Sequence, residues 1–149
     1  MRRGRLGIEI TETVLIERPE EVARTMATLR HVGIHFSLDD FGTGFSSLSH
    51  MRGFPVQAIK IDRSFVEKVP DDAVTAQIVS GLLQMASALG LLVVAEGVET
   101  PAQERTLRHL GFGLAQGYLY SKPVPADALS ALVQRQNLLE SSDAGVIEP

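Results

Sequence analysis

Five short apolar runs, each closing on an acidic, basic or amide side chain, dominate what this chain can fold into. They are Leu6–Ile10, Ile34–Asp39, Val56–Asp62, Leu91–Glu96 and Gly113–Tyr118. Each has the length of a strand, and longer segments of helical periodicity separate them. Val22, Met26 and Leu29 recur at i, i+4 and i+7, and Ile78, Val79, Leu82, Leu83, Ala86 and Leu89 form a stronger stripe. Thr100-Pro101-Ala102-Gln103 reads as an N-cap, a proline at the first helical position and a capping-box partner, with Gly111 as the stop. Pro19 with Glu20 and Glu21 marks another start, and a last helix is expected from Ala126 to Leu139. Strand–helix alternation of this kind predicts an α/β fold with a parallel sheet and right-handed crossovers.

Such a sheet is either open and doubly wound or part of a closed barrel, and the strand faces discriminate. In Ile34–Asp39, His35, Ser37 and Asp39 face opposite to Ile34, Phe36 and Leu38. Lys60 and Asp62 share one face while Ile59 and Ile61 share the other, and Glu9 stands between Ile8 and Ile10 in the same way. A sheet covered on both sides reads apolar on both faces. One polar face on successive parallel strands suits the mouth of a barrel.

Composition narrows the function classes. With 14 Lys+Arg against 18 Asp+Glu, the 149 residues carry no basic footprint for general DNA or RNA binding. The absence of cysteine excludes disulfides and thiolate metal sites. The longest apolar run, Leu89 to Ala95, is interrupted by Gly90 and far too short to span a bilayer. The expected location is cytoplasmic, with no membrane segment in this chain. Of the four histidines, His31, His50 and His109 read as surface residues and His35 as a satisfied interior group.

The strand ends carry the chemistry: Glu9 and Glu12, Asp39 and Asp40, Lys60 and Asp62, Glu96 and Glu99, then Gln116. Polar groups at the C-terminal ends of parallel strands converge on one rim, where α/β proteins hold their active sites. A single acid after a strand is more often a helix cap or a solvated loop residue. Five strand ends in succession are harder to assign that way. Converging carboxylates repel, and Lys60 alone cannot balance Glu9, Asp39, Asp40, Asp62 and Glu96. One or two hard divalent cations, Mg²⁺ or Mn²⁺, would compensate them, and such sites favour phosphoryl chemistry.

The densest motif is Asp39-Asp40-Phe41-Gly42-Thr43-Gly44. By the pleat, adjacent acids diverge, so only one points into a barrel unless the chain kinks where strand passes into loop. A glycine-containing turn accounts for Gly42 to Ser47 but leaves the doubled acid unexplained. The Gly-x-x-x-x-Gly-Lys spacing of a phosphate-binding loop is missing.

Taken in order, these motifs resemble the EAL-domain family, the cyclic di-GMP phosphodiesterases of bacterial signalling. The resemblance runs from about Leu6 to Leu129. It rests on Glu9-Ile10-Thr11-Glu12, on Asp39 to Gly44, on Lys60-Ile61-Asp62, on Glu96-Gly97-Val98-Glu99 and on Gln116 to Pro123. The resemblance implies a TIM-type (β/α)8 barrel of which this chain holds about the last five strand–helix units. It implies Glu9, Asp39, Asp40 and Glu96 as metal ligands, with Glu96 also the general base. Lys60 and Asp62 would orient water and the scissile phosphate, and Gln116 would contact substrate. Glu12 would hold the glycine-containing loop of Phe41, Gly42, Thr43 and Gly44, and Glu99 would support the metal site from behind. The implied reaction is metal-dependent hydrolysis of cyclic di-GMP to linear pGpG. The loop from Phe41 to Leu48 would also link the site to dimerisation.

The Glu-Ala-Leu motif that names the family, and the ligating Asn that follows it, do not occur in this sequence. A complete barrel takes about 250 residues. Residues 1–139 are therefore expected to be the C-terminal part of such a domain, with 140–149 a flexible tail. Weak or absent hydrolysis is expected of the chain alone. The expected partners are cyclic di-GMP and either further copies of the chain or a complementing N-terminal barrel portion. The alternative is a non-catalytic cyclic di-GMP-binding or protein-interaction module. A phosphoacceptor receiver domain also has an acid pair and a lysine, but its lysine follows the last strand, whereas Lys60 follows the third.

Overall fold

The computed structural model describes residues 6–42 and 53–143. The chain runs β1 (Leu6–Thr11), α1 (Glu12–Glu17), α2 (Pro19–His31), β2 (Ile34–Phe41), β3 (Ala58–Ile61) and α3 (Arg63–Val66). It continues with α4 (Ala73–Ala88), β4 (Leu92–Ala95), α5 (Pro101–Leu110), β5 (Leu114–Ala115) and α6 (Ala126–Asp143).

All neighbouring strands pair in parallel, and their spatial order β1-β2-β3-β4-β5 is also their order in sequence. Parallel neighbours require crossovers, and right-handed crossovers that always step the same way keep the helices on one face. A doubly wound sheet instead reverses direction once and is covered on both faces. The strand order therefore gives a segment of barrel wall, in agreement with the one-sided polarity of the strands.

The apolar faces of the strands meet the helices. Leu38, Ile59, Ile61 and Ala95 are completely buried, and Phe36, Phe41 and Val93 nearly so. Met26 from α2, Val79 and Ala86 from α4 and Leu107 from α5 close over them. The opposite face stays open among the described residues, and Leu92 and Leu114 are 59% and 46% exposed on it. That openness corrects the reading of His35, which is exposed rather than a satisfied interior group. It lies on the polar face, and no helix covers it there.

Local chemistry sets the helix boundaries. At α5, the Thr100 hydroxyl accepts the Gln103 N–H at 3.2 Å while the Gln103 side chain accepts the Thr100 N–H at 2.9 Å. Gly111 ends that helix in the left-handed conformation at φ +97°. At α4, Asp72 caps by accepting the Val74 N–H at 2.9 Å and the Thr75 hydroxyl at 2.6 Å. The last helix runs to Asp143, four residues beyond the expected end at Leu139. β5 is shorter than expected because the chain turns at Gly117, whose carbonyl accepts the Tyr120 N–H at 3.1 Å. Among the described residues, no helix is long and apolar enough to cross a membrane.

Candidate active site

The C-terminal ends of the strands lie side by side, and Lys60 at the end of β3 is their centre. Its ammonium donates to Glu9 Oε2 at 2.7 Å and to Glu96 Oε1 at 2.6 Å, and it lies 3.2 Å from Asp39 Oδ1. Three different strands thus deliver carboxylates to one cation. The Lys60 side chain is 7% exposed, against 14% for Glu96, 28% for Asp39 and 54% for Glu9. The pocket is therefore closed at its floor and open at the Glu9 side. Gln116, just beyond β5, donates its amide N–H to the same Glu96 Oε1 at 2.5 Å.

Asp40 joins the group through a defect in the sheet. Leu38 pairs with Ile59 and Phe41 with Ile61, so β2 spends three residues where β3 spends two. The extra residue is a bulge, and Asp40 takes the left-handed φ of +54°. Without it the pleat would turn one of the two acids away. With it, carboxylate oxygens of Asp39, Asp40 and Glu96 lie within 4.8 Å of one another. The kink expected from the doubled acid is in the strand itself, two residues before Gly42.

Among the described residues, the Lys60 ammonium faces three carboxylates at once, and Asp40 stands beside two of them. Burial pushes the Glu96 pKa above its ordinary value, and Asp39 adds to the rise while Lys60 opposes it. Burial acts to lower the Lys60 pKa, but the hydrogen bonds it donates to Glu9 and Glu96 outweigh it, so the net shift is upward and the ammonium stays charged. Asp39 Oδ1 is buried, and among the described residues it has no hydrogen-bond partner beyond its 3.2 Å ion pair with Lys60. A buried, unsatisfied carboxylate oxygen beside two further acids is a donor set of the type that hard divalent cations take.

Other residues singled out in the sequence take different places. Asp62 caps α3, its Oδ1 accepting the Ser64 N–H at 3.0 Å and the Ser64 hydroxyl at 2.5 Å, and it stands outside the Lys60 ion pairs. Glu9 reaches Lys60 but is not among the three acids that converge within 4.8 Å. Glu12 is buried at the start of α1 and Glu99 is exposed. Phe41 is buried, Gly42 has φ +99°, and Thr43 and Gly44 lie outside the described residues.

Several supporting residues escaped the sequence reading. Gln103, read only as a capping partner, is buried and its Oε1 also accepts the Glu99 N–H at 2.7 Å. It thereby ties the Glu96–Glu99 turn to the head of α5. Gly117 packs so closely on that turn that a Cβ would lie 2.1 Å from the Val98 carbonyl oxygen. Its spacing within Gln116-Gly117 was the only available signal, and it does not reveal the partner.

The EAL domain family model matches residues 1–123. Among curated proteins, the cyclic di-GMP phosphodiesterase NbdA of Pseudomonas aeruginosa is 42% identical over 129 residues, 87% of this chain and 16% of NbdA. The crystal structure of the EAL domain of Mycobacterium smegmatis DcpA superposes with a TM-score of 0.84 at 40% identity, over 91% of this chain and 60% of that one. Klebsiella pneumoniae BlrP1, in a manganese and cyclic di-GMP complex, matches at a TM-score of 0.77 and 35% identity, over 83% of this chain and 31% of its own. The chain thus spans less than a fifth of NbdA and about three fifths of the DcpA domain. On sequence and on fold alike, it belongs to the EAL domain family.

Proposed function

We propose that this chain supplies the carboxylate rim of a metal-dependent phosphodiesterase acting on cyclic di-GMP. The observation that carries this is the Lys60 cluster: three carboxylates on one ammonium, with the buried Oδ1 of Asp39 and with Asp40 beside Asp39 and Glu96. The family, and the manganese and cyclic di-GMP complex of BlrP1, support the choice of metal and substrate.

Asp39, Asp40 and Glu96 would hold a divalent cation, Mg²⁺ or Mn²⁺, with Glu9 on the open side as a further ligand. Such a cation, when bound, supplies positive charge to the phosphate and makes water more acidic. Glu96, with its raised pKa, is suited to accept the proton of the attacking water. Lys60 orients Glu96 through its 2.6 Å hydrogen bond and offers positive charge to a phosphoryl oxygen. Gln116 fixes the other side of the same Glu96 oxygen. Asp62 acts through α3, holding the turn that follows Lys60. In the reaction the water oxygen bonds to phosphorus, one P–O3′ bond breaks, and the released 3′ oxygen takes up a proton, giving pGpG.

The rim is open to water on the helix-free face, so turnover by the chain alone is slow and weakly saturable. Further strands on the free edges of β1 and β5, from another copy or another polypeptide, would close it. The test pairs Mn²⁺ titration by electron paramagnetic resonance with chromatography of cyclic di-GMP digests. The chain should bind Mn²⁺, Asp39→Asn should lose most of that affinity, and Glu96→Gln should abolish what pGpG is formed. Nucleotide binding without turnover under any metal would favour a sensor. Hydrolysis indifferent to Glu96→Gln would sink the assignment.

A further inference from the structure

The metal reading leaves unexplained how two adjacent carboxylates are kept inward at the end of β2. A left-handed backbone at a non-glycine residue such as Asp40 is unfavourable and persists only where the surroundings fix it. The ladder holds Asp39 against Thr11 on one side of Asp40 and Phe41 against Ile61 on the other. Where the ladder ends, after Phe41, a helix that carries no ligand closes on the next residue.

Gly42 follows directly on the buried Phe41 and rests against the Phe65 ring of α3. A Cβ on Gly42 would lie 2.8 Å from Phe65 Cε2, 3.2 Å from Cζ and 3.7 Å from Leu82 Cδ1. No side chain fits between this backbone and the ring. α3 is itself pinned on the opposite flank, where a Cβ on Gly97 would lie 2.6 Å from Arg63 Cβ. Gly97 directly follows Glu96. The Asp62 cap fixes the start of the same helix, two residues after Lys60. One four-residue turn therefore touches the backbone beside Asp40, the backbone beside Glu96 and the strand end that carries Lys60.

We propose that Phe65 is a positioning residue, its ring a wedge that holds Gly42 and hence the β2 bulge so that Asp40 faces Asp39 and Glu96. This rests on the metal reading above for its consequence, but not for its geometry. Loss of the ring frees the strand end, and the bulge relaxes toward the regular pleat with Asp40 turned outward.

The test compares Phe65→Ala and the gentler Phe65→Leu with Leu107→Ala, a buried substitution in α5. Phe65→Ala should weaken Mn²⁺ binding about ten-fold, the range found when residues supporting metal ligands are removed. Phe65→Leu keeps most apolar area but not the flat ring, and should fall between. Leu107→Ala should lower the unfolding midpoint yet leave Mn²⁺ affinity unchanged. Amide resonances of the metal-free protein provide the second readout, and should move at Asp39, Asp40 and Gly42 in the Phe65 variants only. Unchanged Mn²⁺ affinity in Phe65→Ala, or equal losses in Leu107→Ala, would overturn the proposal. If the parent chain binds no Mn²⁺, the metal reading fails and the resonances decide the wedge. Perturbations reaching Asp39 and Asp40 support it, and perturbations confined to α3 and α4 refute it.

Discussion

Substituting Gly117 with alanine puts a single methyl group into the tightest backbone approach at the rim. The added carbon would stand 2.1 Å from the Val98 carbonyl oxygen, 2.3 Å from its nitrogen and 2.7 Å from its carbonyl carbon. All three are main-chain atoms, so no rotamer change relieves the clash, and the two turns must separate by about 1 Å. That movement stretches two hydrogen bonds, Val98 N–H to the Gln116 carbonyl and Leu119 N–H to the Val98 carbonyl, each 3.0 Å long. Each is worth about 1 kcal/mol net. Overpacking adds about 1–3 kcal/mol, so Gly117→Ala should cost about 3–5 kcal/mol. It should also draw Gln116 away from Glu96. Urea unfolding with a fluorescent reporter dye would measure the first effect. The comparison variant is Gly113→Ala, where an added Cβ meets nothing within 4 Å. A Gly117→Ala midpoint equal to that of Gly113→Ala would refute the steric reasoning.

Three further outcomes follow from the local geometry. Thr100→Ala removes the capping hydroxyl of α5 and should destabilise by about 1 kcal/mol in the same unfolding assay. Gly81→Ala, inside α4 with open space around its Cα, should stabilise by about 0.5–1 kcal/mol, and a loss of stability there would reveal packing that the structure does not show. Hydrogen bonds from Thr75 and from the Val74 N–H hold the Asp72 carboxyl below its ordinary pKa. Its contribution to stability is thus present above the ordinary aspartate value and is lost as pH falls through the lowered folded value. Asp72→Asn should therefore differ most from the parent near neutrality and converge with it in acid, and a gap that widens in acid would contradict the cap.

The alternation of strands and helices was legible because each apolar run is bounded by polar residues, and parallel pairing leaves few other solutions. The polar rim was legible for the same reason: Glu9, Lys60 and Glu96 end strands, and strand ends in a parallel sheet meet. The capping box at Thr100 and Gln103 is a purely local device and was readable residue by residue. What escaped was tertiary or too short to have a period. The helix α1 is built from Glu12-Thr13-Val14-Leu15-Ile16-Glu17, whose β-branched residues do not announce a helix. α3 has four residues, and Asp62 caps it through Ser64, a local signal overshadowed by the acid's place at a strand end. The exposure of His35 depends on which face the helices leave bare, which alternation alone does not settle. The nearness of Phe65 to Gly42 links residues 23 positions apart and has no sequence signature.

The bulge in β2 makes the pair of carboxylates a matter of residue count as well as residue type. Removing either acid by deletion would return the strand to regular pairing, with Leu38, the remaining acid and Phe41 opposite Ile59, Lys60 and Ile61, and so abolish the bulge. A substitution at Asp39 or Asp40 forfeits one carboxylate, while a deletion at either place also removes the bulge that lets neighbouring residues share a face. A change of length at this strand end thus alters a backbone that a change of letter leaves in place. Deletion scanning of β2 would mark that boundary to the residue.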